Sequence, residues 1–139
     1  MSAVFVDTWA WVTWLDRNEP QHAAVDRIIR VGSDDGGELV TTNAVMYECM
    51  SLLRRRAGHR IAYGFLERLL LPIEPPNGLT IVQVDRALEA SAAAIFRRYD
   101  DKDFSFVDCL SFAVMQQRGI ATALTGDKHF AQMGFEVLP

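Results

Sequence analysis

The chain has 139 residues, of which 50% are hydrophobic and 23% are charged, and its formal net charge is −4. This composition is typical of a single globular domain over residues 1–139, and the acidic balance argues against a broadly basic nucleic-acid-binding surface but leaves a local basic patch open. No apolar run approaches the ~20 residues of a membrane-spanning helix, and the N-terminus lacks the basic segment of a signal peptide. Cys49 and Cys109 have no paired short spacing, which favours a reducing, cytoplasmic location over a disulfide framework or a zinc site.

Short apolar strands are predicted to alternate with amphipathic helices along the chain. The predicted strands cover residues 3–6, 38–42, 79–84 and 121–126, and an apolar tail follows at 135–139. The predicted helices cover residues 8–16, 19–31, 44–57, 61–71, 85–100 and 105–119, and a short helix starts at Asp127. A loop is expected at 32–37, and the predicted caps are Asp7 or Thr8, Asn43, Asp85 and Ser105.

This alternation predicts an α/β fold with three layers. Strands that are apolar throughout are typical of a parallel sheet that is covered on both faces. We therefore expect a central, mainly parallel sheet of four to five strands with helices on both sides. Ligands of such sheets bind outside the carboxyl ends of the strands, near the point where the strand order reverses.

Four acidic residues are predicted to meet at that edge of the sheet. Asp7 directly follows the first strand, and Asp127 follows the fourth. Asp108 and Glu48 lie in the first and second turns of predicted helices, and helices that follow a strand begin at the same edge. Because clustered carboxylates repel one another, they need protons or a cation. The pattern therefore predicts a site for Mg²⁺, with Mn²⁺ as the alternative, since these ions prefer carboxylate and water oxygens.

Each acid also has a structural interpretation. Asp7 and Asp127 stand where a side chain commonly caps a helix, and Ser105 with Asp108 forms a capping-box pattern. Glu48 is harder to explain in this way, because its neighbours one turn away are mostly apolar. Four such coincidences at one edge favour a shared metal site over four separate caps.

Several neighbouring side chains are weaker candidates. Thr8 and Ser105 are predicted mainly as caps, and orienting a carboxylate or a water is the alternative. His129 is expected to be exposed in a turn, and the alternative is a nitrogen ligand that favours Mn²⁺. The first helix holds three tryptophans, of which Trp11 and Trp14 share a face. They are expected in the core or on a partner surface, and base stacking is the minority interpretation.

Four segments carry a family resemblance. "VFVDTWAWV", "TTNAVMYEC", "DFSFVDCLSFAVMQQRGI" and "ALTGDKHFAQMGFEVL" resemble the four acidic motifs of PIN-domain ribonucleases, and VapC-like toxins of bacterial toxin–antitoxin pairs are the most similar. The likeness covers essentially the whole chain, in order. It implies a PIN-like fold and a metal-dependent endoribonuclease site at Asp7, Glu48, Asp108 and Asp127. It also implies a homodimer and an antitoxin whose tail enters the active-site groove.

Two positions qualify the resemblance. Asp103 lies near a position where some relatives carry an additional acid, so it is a candidate for supporting the metal ligands. Gly126, directly before Asp127, replaces a residue that is commonly larger in the family.

The predicted reaction is therefore metal-assisted hydrolysis of RNA phosphodiester bonds. Five arginines are candidate contacts to the RNA backbone: Arg54, Arg55, Arg56, Arg97 and Arg98. One alternative is a PIN-like binding module that has lost catalysis. A second is a receiver-type phosphotransfer domain with an acceptor at Asp85, but "VFVDTW" lacks the paired acid that such domains carry after the first strand. A haloacid-type phosphatase is disfavoured because "VDTW" lacks its second aspartate.

Overall fold

The sheet of this protein is built from five short strands. The computed structural model describes residues 3–34 and 37–139, without the side chains at 33 and 34. The strands are Val4–Val6 (β1), Leu39–Thr42 (β2), Leu79–Val82 (β3), Thr122–Leu124 (β4) and Glu136–Leu138 (β5). They lie in the order β3-β2-β1-β4-β5, and every neighbouring pair is parallel. The predicted central parallel sheet is confirmed, and the apolar tail supplies its fifth strand.

Helices connect every pair of consecutive strands. They are Thr8–Leu15 (α1), His22–Asp34 (α2), Asn43–Ala57 (α3), His59–Phe65 (α4), Arg86–Arg98 (α5), Phe106–Arg118 (α6) and Lys128–Gln132 (α7), and α4 continues into a π-helical turn at Leu66–Leu70. The strand order reverses at β1, so right-handed connections place α1 to α4 on one face of the sheet and α5 to α7 on the other. The predicted three-layer arrangement is therefore confirmed.

Two local predictions are wrong. Asn43 does not cap α3, because Thr42 Oγ1 accepts the hydrogen bond from the Val45 amide. The Asn43 side chain instead accepts a hydrogen bond from the Val84 amide, which ties the start of α3 to the chain leaving β3. In addition, α2 continues to Asp34 rather than ending before Gly32. A Cβ atom at position 32 would lie 3.0 Å from Leu39 Cδ2, so glycine suits this crowded point of α2 although its helix propensity is low.

A group of five phenylalanines fills the space between α6, α7 and one face of the sheet. The Phe112 ring lies at the centre of this group, with ring centroids 5.0 Å from both Phe104 and Phe130 and 5.9 Å from Phe135. Phe5 of β1 stacks on Phe130 from the sheet side, at 6.2 Å. We call these five residues the aromatic cluster, and it packs α6 and α7 against this face of the sheet. Within the described ranges, no helix is long and apolar enough to cross a membrane.

Candidate active site

A cavity of about 370 Å³ opens at the carboxyl ends of β1 and β4. All four predicted acids, Asp7, Glu48, Asp108 and Asp127, line it, so we call it the acidic cavity. It lies where the strand order reverses, which is where parallel sheets of this kind bind ligands. The sheet and the helix starts therefore bring together residues that are separated by up to 120 positions in the chain.

Asp7 is the most deeply buried of the four acids, with 5% of its surface exposed. It occupies the N-cap position of α1, but its side chain does not cap the helix, so that structural interpretation is wrong. Instead, Thr125 Oγ1 donates a hydrogen bond of 2.9 Å to Asp7 Oδ2 across the β1–β4 pair. Burial raises the pKa of Asp7 to about 7, and the nearby charges of Asp108 and Asp127 add to this rise. The charged form of this carboxyl group is unfavourable here, so a cation bound beside it would favour loss of the proton.

Thr8, directly after Asp7, contributes a hydroxyl group to the cavity. Its Oγ1 atom is buried and is the one such side-chain atom in the described part of the chain that has no hydrogen-bond partner. The hydroxyl does not cap α1, contrary to prediction. Because a buried hydroxyl without a partner costs free energy, this atom is suited to a water or a ligand in the cavity.

Asp108 is held by a capping box at the start of α6. Its Oδ2 atom accepts a 3.0 Å hydrogen bond from the Ser105 amide, and Ser105 Oγ accepts one of equal length from the Asp108 amide. His129 Nδ1 lies 2.9 Å from the same Oδ2 atom. Burial raises the pKa of Asp108, and the charge of Asp127 adds to the rise. The structural and functional interpretations of Asp108 are therefore compatible, because the cap fixes one oxygen while Oδ1 accepts no hydrogen bond from the described residues.

Asp127 and His129 complete this side of the cavity. Asp127 caps α7 by accepting a 2.9 Å hydrogen bond from the His129 amide, and the His129 ring nitrogen lies 3.0 Å from the same carboxylate oxygen. Ligand atoms of Asp108, Asp127 and His129 all lie within 4.8 Å of one another, close enough to hold one metal ion. The expectation that His129 is exposed is wrong, since only 16% of its side chain is accessible. Its ring packs against Phe104, with centroids 5.5 Å apart, which turns the imidazole toward Asp108.

Glu48 reaches the cavity from α3. Leu52 and Arg56 follow at intervals of one helical turn and line the same cavity, which shows that this face of α3 borders the site. Glu48 is half-buried, and its carboxylate forms no hydrogen bond or ion pair with other described residues. It is therefore free to accept a cation.

Most of the other predicted candidates lie outside the cavity. Asp103 is exposed in the loop before α6 and does not line the cavity. Ser105 is exposed, and it acts on the site only by holding Asp108. Arg56 is the one candidate arginine that lines the cavity; Arg54, for comparison, contacts His59 with 2.8 Å between Nη1 and Nδ1.

Among the other lining residues, Glu19 and Trp9 were not predicted as parts of the metal site, and Arg56 was predicted only as a candidate contact to RNA, with no place in the fold. Arg56 had a usable signal, because it follows Glu48 by eight residues on a helix and therefore shares its face. Glu19 adds a fifth carboxylate from the turn between α1 and α2, where no local pattern marks it. Trp9 lines the cavity from the first turn of α1 and lies against Gly126.

The residues present fit a hard divalent cation. Carboxylate oxygens dominate the cavity, and the unpartnered Thr8 hydroxyl offers a further oxygen for a water. Asp108 and Asp127 each hold one oxygen through hydrogen bonds within the protein, which orients the carboxylate and leaves the second oxygen available. Mg²⁺ and Mn²⁺ prefer such oxygen donors and commonly keep several waters.

Comparison with known proteins identifies the family. Residues 4–136 match the PIN domain. The chain belongs to the PIN-domain family. Over 137 residues it is 33% identical to the 23S rRNA-specific endonuclease VapC20 of Mycobacterium tuberculosis, and this match covers 98% of each chain. The crystal structure of M. tuberculosis VapC20, described as a sarcin-ricin loop cleaving toxin, has a TM-score of 0.83 and covers 98% of this chain and 99% of that one, at 33% identity.

More distant structures share the fold of this PIN-domain protein. VapBC2 from Rickettsia felis, bound to a DNA fragment from its promoter, has a TM-score of 0.68 at 9% identity, and the match covers 97% of this chain and 96% of that one. FitAcB from Neisseria gonorrhoeae has a TM-score of 0.65 at 16% identity, with coverage of 98% and 96%. At these identities the likeness shows the fold alone. Together with VapC20, the family match confirms the predicted resemblance to VapC-like PIN-domain toxins.

Proposed function

We propose that this protein is a divalent-metal-dependent endoribonuclease and the toxin of a type II toxin–antitoxin pair. The observation that carries the proposal is the convergence of Asp7, Glu48, Asp108 and Asp127 in one cavity. The whole-chain similarity to an rRNA-specific endonuclease supports RNA as the substrate. The proposed place of action is the cytoplasm, where RNA substrates are found.

The four acids of the acidic cavity would hold Mg²⁺, with Mn²⁺ as the alternative. When bound, such an ion activates a water for attack on phosphorus and stabilises the negative charge that develops on the phosphate. Asp7 must give up its proton before it can serve as a ligand, and the Thr125 hydroxyl holds its carboxylate in place as it does so. The Ser105 amide and His129 hold Asp108 in the same way.

Arg56 is the proposed contact to the RNA backbone. It is exposed at the edge of the acidic cavity and forms no ion pair with other described residues, although several carboxylates line the same space. An unpaired guanidinium is suited to a phosphate, which it can bind through two parallel hydrogen bonds. It would also offset the repulsion that the acids exert on an approaching polyanion.

Cleavage of RNA by purified variants tests this function. We expect Asp7→Asn and Asp108→Asn each to reduce Mg²⁺-dependent cleavage of a 23S rRNA sarcin–ricin hairpin by at least ~100-fold, because each removes a charged metal ligand. EDTA should stop the wild-type reaction. Asp101→Asn is the matched control, since Asp101 is an exposed acid paired with Lys102 outside the cavity. Full activity of either cavity variant would refute the assigned role.

The alternative functions make different predictions. A catalytically inactive binding module would bind Mg²⁺ and RNA but leave the RNA intact in the same assay. A receiver-type phosphotransfer domain is disfavoured because Asp85 caps α5 by accepting a 2.8 Å hydrogen bond from the Leu88 amide, and it does not line the acidic cavity. Labelling with acetyl phosphate would reveal such an activity.

The proposed partners are a second copy of the chain and a cognate antitoxin. The homodimer is tested by light scattering of the purified protein, and a mass equal to one chain at micromolar concentration would exclude it. The antitoxin is tested by sequencing the adjacent reading frames and co-expressing any small protein that they encode, which should co-purify with the chain and suppress RNA cleavage. If such a protein does not bind the chain, the result contradicts the proposed toxin–antitoxin pair.

A further inference from the structure

Trp9 occupies a distinctive position between two acids of the acidic cavity. It lies in the first turn of α1, two residues after Asp7, and its ring is half-buried. The ring also lies against Gly126, the residue directly before Asp127. Trp9 lines the acidic cavity itself, so an aromatic surface adjoins the proposed metal ligands.

Gly126 makes room for this indole. A methyl group on Gly126 would lie 2.6 Å from Trp9 Nε1 and 2.8 Å from Trp9 Cδ2, which is closer than any real side chain tolerates. The backbone of Gly126 does not have a positive φ, so the position requires glycine for space and not for conformation. The departure from the family pattern at Gly126 therefore has a physical reason in this chain, namely the neighbouring indole.

The other two tryptophans of α1 have structural roles. Trp11 is buried, and its Nε1 atom donates a 3.4 Å hydrogen bond to Thr41. Trp14 donates a 3.0 Å hydrogen bond to Asp26 on α2. In contrast, Trp9 Nε1 has no hydrogen-bond partner among residues 3–34 and 37–139. The Trp9 side chain packs partly against the core and also lines the acidic cavity.

We propose that Trp9 is a specificity-determining platform on which the nucleobase next to the scissile phosphate stacks. This inference rests on the proposed ribonuclease function. An RNA chain that brings a phosphate to the acids must place an adjacent base near the cavity wall, where the indole offers an aromatic surface. Stacking of a base on an aromatic side chain changes affinity by roughly tenfold. Purines offer larger rings than pyrimidines, so the platform favours a purine at this position.

Binding of three labelled oligomers of equal length tests the platform. The probes are oligoadenylate, oligouridylate and an abasic ribose-phosphate oligomer, measured by fluorescence anisotropy with Ca²⁺, which also takes carboxylate oxygens. We expect the wild-type chain to bind oligoadenylate more tightly than oligouridylate, and the abasic oligomer least tightly. Trp9→Ala should weaken binding of oligoadenylate by roughly tenfold and leave binding of the abasic oligomer unchanged.

Three further variants keep the test independent of folding defects. Trp9→Phe keeps an aromatic ring and should retain part of the adenine preference. Gly126→Ala should reduce that preference with the tryptophan still present, because the added methyl group displaces the indole. Tyr63→Ala is the matched control, since Tyr63 is an exposed aromatic residue on α4 that does not line the acidic cavity.

The outcomes separate this inference from the function on which it rests. An unchanged adenine preference in Trp9→Ala, or equal weakening for the abasic oligomer, would overturn the platform. If the wild-type chain cleaves RNA in the presence of Mg²⁺ under that outcome, the proposed ribonuclease stands and only the role of Trp9 falls. If the wild-type chain neither binds nor cleaves RNA, both proposals fall together.

Discussion

The acidic cavity and the aromatic cluster are neighbours that share two helices, yet they contribute to the free energy of folding with opposite sign. On α6, Phe112 follows Asp108 by one turn, and on α7, Phe130 follows Asp127 by three residues. The phenylalanine rings are buried against one another, which stabilises the fold. The burial that positions Asp7 instead raises its pKa, which means that the charged form is destabilised there. Hydrophobic packing in the aromatic cluster therefore offsets the unfavourable free energy of burying acids in a cavity without a cation.

The largest expected effect on stability comes from the centre of the aromatic cluster. Phe112→Ala should lower the free energy of unfolding by about 3–5 kcal/mol, because it leaves a cavity between three other rings. Phe106→Ala is the control on the same helix, since 41% of Phe106 is exposed, and it should cost much less. Urea unfolding of both variants measures the difference. Equal losses would show that the cluster is not the main source of stability on this side of the sheet.

In the absence of metal and above pH 7, Asp7→Asn should raise the free energy of unfolding, whereas Phe112→Ala lowers it. The folded-state pKa of Asp7 is about 7 and the unfolded value is 3.8, so the folded state binds a proton that the unfolded chain releases between these values. The stabilising contribution is therefore fully present below pH 3.8 and is lost as the pH rises through about 7. The wild-type chain should lose up to about 1.4 kcal/mol per pH unit in this window.

Unfolding in urea with EDTA at several pH values measures this dependence. The loss of unfolding free energy per pH unit should be smaller in Asp7→Asn than in the wild-type chain. Above pH 7 the variant should be the more stable protein. Asp108 contributes a residual slope of the same sign, because its pKa is also raised. Parallel pH profiles for the two proteins would mean that Asp7 is not protonated in the folded state.

The smallest expected effect is stabilisation by Mg²⁺. A ligand at one hundred times its dissociation constant adds about 2.7 kcal/mol to the free energy of unfolding. We expect thermal unfolding of the wild-type chain to shift upward with Mg²⁺, and more strongly at pH 8 than at pH 6, since Asp7 must be deprotonated to bind the ion. Asp7→Asn should lose most of this shift, while Phe106→Ala should keep it. An equal shift in all three proteins would indicate binding outside the acidic cavity.

The sequence was sufficient to predict the sheet and the convergence of acids, because both follow from local signals. Short apolar strands followed by acids at their carboxyl ends predict where the side chains meet, once the strands are assumed parallel. Asp7 and Asp127 were located in this way, and Asp108 and Glu48 were located by their positions in the first and second turns of predicted helices.

The remaining features of the site depend on contacts between distant residues. His129 was expected in solvent because a single turn gives no sign that Phe104, 25 positions earlier, will pack against its ring. The side chain of Asp7 turns away from its own helix because Thr125 offers a hydrogen bond from across the sheet. Arg56 is different, since helical spacing from Glu48 was available and would have placed it. The assignment of the four acids as metal ligands stays a prediction until an ion is observed.

The position of β1 in the middle of the sheet has a consequence for synthesis of the chain. Asp7 is made early, but its hydrogen-bond partner Thr125, which directly follows β4, and the turn that carries Asp127 are made more than a hundred residues later. A nascent chain therefore lacks a complete acid set for most of its translation, and a fragment 1–121 should show no metal-dependent cleavage. The acidic cavity can therefore be complete only after β4 and the turn that follows it have been made.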